Sequence, residues 1–122
     1  MRQKEPVISI ILPTYNSAKY ISFAIDSVLS QSFRDFELII INDGSTDETE
    51  DIIMGYVDNR IQYVKNKTNL KLIKTLNKGV NLAKGDFIAR MDADDIALPN
   101  WLQNAIDGFR EAPYATVVNQ LD

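Results

Sequence analysis

The sequence contains no cysteine and no histidine in its 122 residues. The absence of cysteine excludes disulfide bonds and thiolate metal sites. The absence of histidine excludes most zinc sites and every catalytic triad that depends on an imidazole. Any chemistry must therefore use carboxylates, hydroxyls, amides, lysines and arginines. A chain of 122 residues is long enough for one domain with a hydrophobic core and too short for two.

The sequence also lacks a basic excess and a long apolar run. Its formal net charge of −4 argues against a dedicated nucleic-acid binder, but it allows a nucleotide ligand whose charge is balanced by a divalent cation. The polar segment from Met1 to Pro6 and the short apolar run from Val7 to Leu12 do not resemble a targeting or membrane-spanning segment. We therefore expect a cytoplasmic protein that does not bind nucleic acid.

Short apolar runs typical of strands alternate with apolar stripes at helical spacing. Strands are predicted at Val7 to Leu12, Phe36 to Ile41, Ile61 to Val64 and Asp86 to Met91, with a further strand beginning at Thr116 to Val118. Helices are predicted around Ile21 to Leu29, from Ser45 to about Val57, from Leu72 to Ala83, and after Pro99. This alternation predicts an α/β fold in which helices flank both faces of a mostly parallel sheet. Ligands of such sheets bind beyond the carboxyl ends of the strands.

Particular residues set the predicted boundaries of these elements. Pro13 is expected to end the first strand, and Ser45 with Glu48 has the capping-box spacing of a helix start. Gly85 is placed to cap the end of the third helix, and Pro99 falls in the expected first turn of the next. The last residues enter a strand with nothing after it to complete the sheet. We therefore expect a truncated sheet with an open edge, through which the chain could form a homo-oligomer.

Three carboxylates lie between Asp92 and Asp95, directly after a predicted strand. They repel one another, and a hard cation such as Mg²⁺ or Mn²⁺ would relieve that repulsion. The alternative is a solvated acidic turn that caps the helix beginning near Pro99. An EF-hand loop is excluded because its sixth and twelfth positions would be Ala97 and Gln103 instead of glycine and glutamate. The position beside two other polar loops favours a metal site.

Those two loops follow the first and second strands. In Asn42-Asp43-Gly44-Ser45, the glycine allows a tight turn and the serine can cap a helix, whereas neither role requires Asp43. Its carboxylate either stabilises the turn or accepts hydrogen bonds from a nucleoside. In Pro13-Thr14-Tyr15-Asn16, an exposed tyrosine ring could stack on a base, although a plain turn is the simpler interpretation.

Lysines at positions 71, 74 and 78 have the spacing of one helical face. A solvated face is the ordinary explanation of this spacing, and contact of one lysine with a diphosphate is the functional one. The chain has neither a Gly-x-x-x-x-Gly-Lys loop nor a Gly-x-Gly-x-x-Gly segment after the first strand. The usual phosphate and dinucleotide cradles are therefore absent.

The ordered segments PTYN, NDGSTD and AKGDFIARMDADD resemble the family 2 glycosyltransferases, which have the GT-A fold. The resemblance extends from about Val7 to about Phe109. It implies an inverting, metal-dependent enzyme that transfers a sugar from a nucleotide diphosphate sugar, in many cases a UDP-sugar, to a polysaccharide, glycoconjugate or glycolipid acceptor. Relatives commonly work at the cytoplasmic membrane face, so we expect peripheral association of the parent enzyme with the inner face of the membrane.

The resemblance also implies roles for individual residues. Pro13 to Tyr15 would line the base pocket, Asp43 would contact the nucleoside and Asp92 would face the ribose. Ala93 would belong to the same donor-binding set, and Asp94 would bind the Mg²⁺ or Mn²⁺ that bridges the diphosphate. Such a cation assists departure of the leaving group by neutralising its charge.

Two departures from the family pattern are visible. Many relatives have Asn-x-Gly where this sequence has Asn69-Leu70-Lys71, and some place a basic residue near the nucleotide there, which makes Lys71 a candidate. The family's catalytic base is an aspartate in a later motif, so it is expected beyond Asp122. Residues 1–122 would then form the donor-binding part without the acceptor-binding part, and would bind donor better than they turn it over. The alternative is a non-catalytic module that binds a nucleotide-sugar or a partner protein.

Overall fold

The computed structural model describes residues 5–111 and 118–119, in which strands and helices alternate along the chain. The elements are β1 (Ile8–Thr14), α1 (Ile21–Leu29), β2 (Phe36–Asn42), α2 (Thr49–Met54), β3 (Ile61–Lys65), α3 (Leu72–Leu82), β4 (Phe87–Arg90), α4 (Trp101–Glu111) and β5 (Val118–Asn119). No helix in the described ranges is long and apolar enough to cross a bilayer.

The strands form one parallel sheet in the order β3-β2-β1-β4-β5. β1 is the central strand, with β2 and β3 on one side and β4 and β5 on the other. The chain thus reverses its direction of progress across the sheet between β1 and β4, which is the switch point where α/β sheets bind ligands. The predicted α/β fold with a parallel sheet is confirmed.

Helices cover both faces of the sheet, as predicted. On one face, α1, α2 and α4 pack against a buried cluster that includes Ile10, Leu12, Leu38 and Ile40. On the other face, α3 packs through Leu76 and Leu82 against Ile11, Ile39 and Ile41. Both faces of β1 and β2 are buried, and this explains why these strands have continuous apolar runs instead of alternating ones.

The prediction that Pro13 ends the first strand is wrong, because β1 continues through it to Thr14. β1 stays paired with β2 as far as Thr14 and Asn42, but its pairing with β4 stops at Ile11 and Arg90. A proline is tolerated where no neighbouring strand needs its missing N–H. The last part of β1 is therefore unpaired on its β4 side, and a crevice opens there.

The capping-box prediction is also wrong, because α2 begins only at Thr49 and its cap position, Glu48, makes no side-chain capping bond. Asp47 satisfies the start of the helix instead, accepting hydrogen bonds from the Thr49 backbone N–H at 3.0 Å and from its hydroxyl at 2.5 Å. The helix ends at Met54 and not near Val57, which is fully exposed. Tyr56 lies beyond the end of the helix, and its hydroxyl donates a hydrogen bond to the carboxylate of Asp26 on α1.

Two further boundary predictions are corrected. Helix α3 ends at Leu82 with Ala83 as its cap, so Gly85 is not the capping residue. Gly85 is required for a different reason: a Cβ atom there would lie 2.7 Å from the backbone nitrogen of Ser9. Pro99 precedes α4 by two residues instead of occupying its first turn. The predicted strand start at Thr116 lies outside the described residues, although β5 itself is present.

Candidate functional site

A pocket of about 380 Å³ opens at the carboxyl edge of the sheet. Its volume lies within the range of small-molecule sites. The lining residues come from the ends of β1, β2 and β4 and from the start of α3: Pro13, Thr14, Tyr15, Asp43, Asn69, Lys71, Leu72, Thr75, Arg90 and Asp92. The pocket therefore lies at the switch point of the sheet, where the crevice beside β1 opens.

Asp43 is buried at the base of this pocket and is held by donors from the loop before α3. Its Oδ1 accepts hydrogen bonds from the Asn66 amide at 2.9 Å and from the Leu70 backbone N–H at 2.7 Å. Its Oδ2 accepts one from the Lys71 backbone N–H at 3.1 Å. Asp43 thus fixes the 66–71 loop, whereas the neighbouring Asn42 accepts the turn hydrogen bond from the Ser45 N–H at 3.0 Å. Oδ2 retains capacity for a second donor.

Asn42 also connects the turn to a half-buried phenol. Its side-chain amide donates to the hydroxyl oxygen of Tyr63 at 3.0 Å, and Tyr63 donates in turn to Glu50 at 2.7 Å. Burial and the hydrogen bond to Glu50 raise the pKa of Tyr63 to about 12. The same contact, together with Lys65, lowers the pKa of the Glu50 carboxyl. The Asn42 side chain is therefore held through its nitrogen by Tyr63 and through its oxygen by the Ser45 N–H.

The loops after β1 and β2 are joined to each other by direct hydrogen bonds. The Asn16 backbone N–H donates to the Ser45 hydroxyl at 2.9 Å, and the Asn16 side-chain oxygen accepts from the Thr46 N–H at 2.7 Å. Asp47 accepts from the Ala18 N–H at 3.2 Å. Burial raises the pKa of the Asp47 carboxyl, but the hydrogen bonds from Thr49 and Ala18 lower it further than burial raises it. These hydrogen bonds join the two loops next to Tyr15, which is exposed and lines the pocket.

Thr14 contributes a buried hydroxyl to the pocket wall. Among the described residues its Oγ1 has no hydrogen-bond partner. A buried polar group without a partner is costly, so a polar ligand or an ordered water molecule is expected to satisfy it.

Lys71 adopts a backbone conformation that is rare for a residue with a side chain. Its φ of 73° and ψ of 168° lie in a region almost restricted to glycine. The conformation directs its N–H to both Asp43 and the Asn69 side chain, at 3.1 Å and 2.9 Å. Lys71 lines the pocket. Lys78 instead donates a hydrogen bond to Asn66 at 2.7 Å and so supports the loop before α3.

The acidic segment after β4 forms a cluster beside the pocket. One oxygen of each of Asp92, Asp94 and Asp95 lies within 4.8 Å of the others, which suits a hard cation bound by carboxylates. Arg90 donates from Nε to Asp92 Oδ1 at 3.0 Å. The cluster therefore could hold a divalent ion, with an arginine adjoining it.

The structure brings most of the predicted site residues together. Six of them line one pocket: Pro13, Thr14, Tyr15, Asp43, Lys71 and Asp92. Within the acidic segment, the Ala93 side chain is buried in the core and Asp94 is exposed. Their roles in binding stay predictions. Arg90 was not among the predicted site residues, although its place at the end of a strand beside the acidic segment was a signal.

Fold and site together define a class: a parallel α/β protein whose ligand site combines carboxylates and cations at the carboxyl edge of the sheet. Comparison with known proteins agrees with this class. The family model described as "Glycosyl transferase family 2" matches residues 9–122. This chain belongs to glycosyltransferase family 2.

Individual relatives support this membership. An uncharacterized glycosyltransferase of Haemophilus influenzae is 38% identical over 115 residues, which are 93% of this chain and 36% of that protein. One from Methanocaldococcus jannaschii is 42% identical over 103 residues, covering 81% of this chain and 36% of that protein. The structure of S. aureus TarS 1-349 in complex with UDP-GlcNAc has a TM-score of 0.80 and 33% identity, and the match covers 86% of this chain and 31% of that one. The chain thus spans about a third of the length of these relatives.

Proposed function

We propose that residues 1–122 form the donor-binding part of an inverting glycosyltransferase that uses a nucleotide diphosphate sugar, with uridine as the base. The observation that carries the proposal is that one pocket at the switch point gathers six of the predicted donor-binding residues. The likeness to TarS, whose structure holds UDP-GlcNAc, supports a nucleotide-sugar as the ligand class.

Within this proposal, the side chains divide the donor between them. Tyr15 stacks on the base, and Asp43 accepts a hydrogen bond from it on Oδ2, the oxygen that has one internal donor. Asp92 accepts from the ribose hydroxyls, and Lys71 supplies positive charge at the pocket mouth. The unpartnered hydroxyl of Thr14 supports a polar ligand at this wall.

The carboxylates fit the cation that the family implies, because hard divalent ions prefer oxygen ligands and three lie within 4.8 Å. Asp94, exposed in this cluster, would hold Mg²⁺ or Mn²⁺. The ion, when bound, neutralises charge on the departing diphosphate. We place the catalytic base and the acceptor site outside residues 1–122, with a saccharide or glycolipid as acceptor and the parent enzyme at the inner face of the membrane.

Calorimetric titration of UDP into the chain, with and without Mn²⁺ and with GDP as a control, tests the proposal. We expect UDP to bind more tightly than GDP and only in the presence of the metal. Asp94→Asn should weaken metal-dependent binding by about tenfold or more, since it removes one charge from the cation site. Asp51→Asn, which removes an equal charge on the exposed face of α2, should leave binding unchanged. Equal metal-dependent affinity in the wild type and in Asp94→Asn would overturn the proposal.

A further inference from the structure

Arg90 ends β4 and lines the pocket together with Asp92. Its Nε donates to Asp92 Oδ1 at 3.0 Å, and the two side chains are 39% and 47% exposed. In the described part of the chain, this ion pair connects the pocket wall to the acidic cluster. Donor binding as proposed above gives this arginine no role.

The ion pair gives the Asp92 carboxylate a cationic partner within the protein. Asp92, Asp94 and Asp95 have oxygens close enough together to share one cation, yet one oxygen of Asp92 is already bonded to a cationic group of the protein. A guanidinium at this position occupies one acceptor position of that carboxylate and orients it. Its positive charge also repels a metal ion that would use Asp92 as a ligand.

We propose that Arg90 is a positioning residue that reserves Asp92 for the nucleoside and keeps it out of the cation site. Asp92 and Asp94 then perform separate tasks, although only one residue lies between them. The proposal deepens the donor-binding function given above and rests on it for the identity of the ligand.

Two opposite effects follow from loss of the arginine charge. Asp92 becomes available as an additional metal ligand, so a divalent ion alone binds more tightly. The same carboxylate is no longer held toward the pocket, so the nucleotide binds more weakly. A residue that only stabilised the fold would weaken both equilibria, so opposite signs exclude a purely structural role for Arg90.

The test measures Mn²⁺ binding to the chain by electron paramagnetic resonance without nucleotide, and UDP binding by calorimetry at saturating Mn²⁺. Arg90→Gln removes the charge, and Arg90→Lys keeps it. Lys65→Gln is the matched control, because it removes one positive charge from an exposed ion pair with Glu50 at the end of β3. β3 is separated from β4 by two strands, about 14 Å in strand spacings, which exceeds the screening length at physiological salt.

We expect Arg90→Gln to bind Mn²⁺ about fivefold more tightly than the wild type, the upper range for an exposed ion pair, and UDP about fivefold more weakly. Arg90→Lys should return Mn²⁺ affinity toward the wild-type value, and Lys65→Gln should change neither. Mn²⁺ affinity in Arg90→Gln equal to or below that of Lys65→Gln would overturn the proposal, as would absence of Mn²⁺ binding in both wild type and Arg90→Gln. Absence of UDP binding in the wild type would instead contradict the proposed function, while the Mn²⁺ comparison would still decide the role of Arg90.

Discussion

Replacement of Lys71 by glycine should stabilise the protein. Lys71 has a φ of 73° and a ψ of 168°, a conformation that costs a residue with a Cβ on the order of 1–3 kcal/mol. Glycine relieves that strain but adds freedom to the unfolded chain, which costs about 0.5–1 kcal/mol. The backbone N–H donation to Asp43 and Asn69 is retained, because it needs no side chain. The net expected gain is about 1 kcal/mol.

Urea unfolding followed by circular dichroism measures this gain, with Lys71→Ala as the matched variant. Alanine removes the long side chain but keeps the Cβ atom, so it should retain the strain and unfold close to the wild type. For a domain of this size, about 1 kcal/mol corresponds to a rise of about 4 °C in Tm. If the glycine variant unfolds at the same urea concentration as the alanine variant, the strain argument is refuted.

Two further predictions concern stability. Gly85→Ala should lower the free energy of unfolding by about 2 kcal/mol, because the new Cβ would lie 2.7 Å from the Ser9 nitrogen. Gly108→Ala should not destabilise the protein, because a Cβ there would have nothing within 4 Å. Urea unfolding of both variants checks this, and equal stability of the two would contradict it. Tyr56 and Tyr63 have pKa values raised to about 12 from 10.0, so the stability they provide is complete below pH 10 and lost as the pH rises through 12. Replacing both by phenylalanine should flatten the fall in unfolding free energy over this interval, and an unchanged slope would disprove the assignment.

The apolar pattern was sufficient to predict the architecture. Continuous runs such as Phe36 to Ile41 are buried on both sides, and the helical stripes identify the faces that cover them. Boundaries were less predictable, because they depend on contacts distant in sequence. Ser45 has the type and spacing of a helix cap, but its hydroxyl accepts a hydrogen bond from Asn16 of another loop. No local pattern contains that contact.

Parts of the site were predictable for the same physical reason. The polar loops at strand ends were evident, since parallel strands bring their carboxyl ends to one edge. The three donors to the Asp43 carboxylate were not, because its partners come from a loop whose path the sequence does not specify. The departure from Asn-x-Gly at Lys71 was noticed in the sequence, and the structure gives it a physical meaning as a residue held in a conformation suited to glycine.

The strand order has a consequence for how the pocket forms during folding. Ile8 pairs with Phe36, which follows closely in the chain, and also with Phe87, which comes much later. Pairing β1 with β2 therefore closes a shorter stretch of chain than pairing β1 with β4, the strand that precedes Asp92, and closing a longer stretch costs more chain entropy. A ligand that bridges the two walls of the pocket opposes reopening of that longer stretch. Bound nucleotide should accordingly slow amide hydrogen exchange in β4 more than in β3, because a ligand that contacts both walls holds β4 against β1.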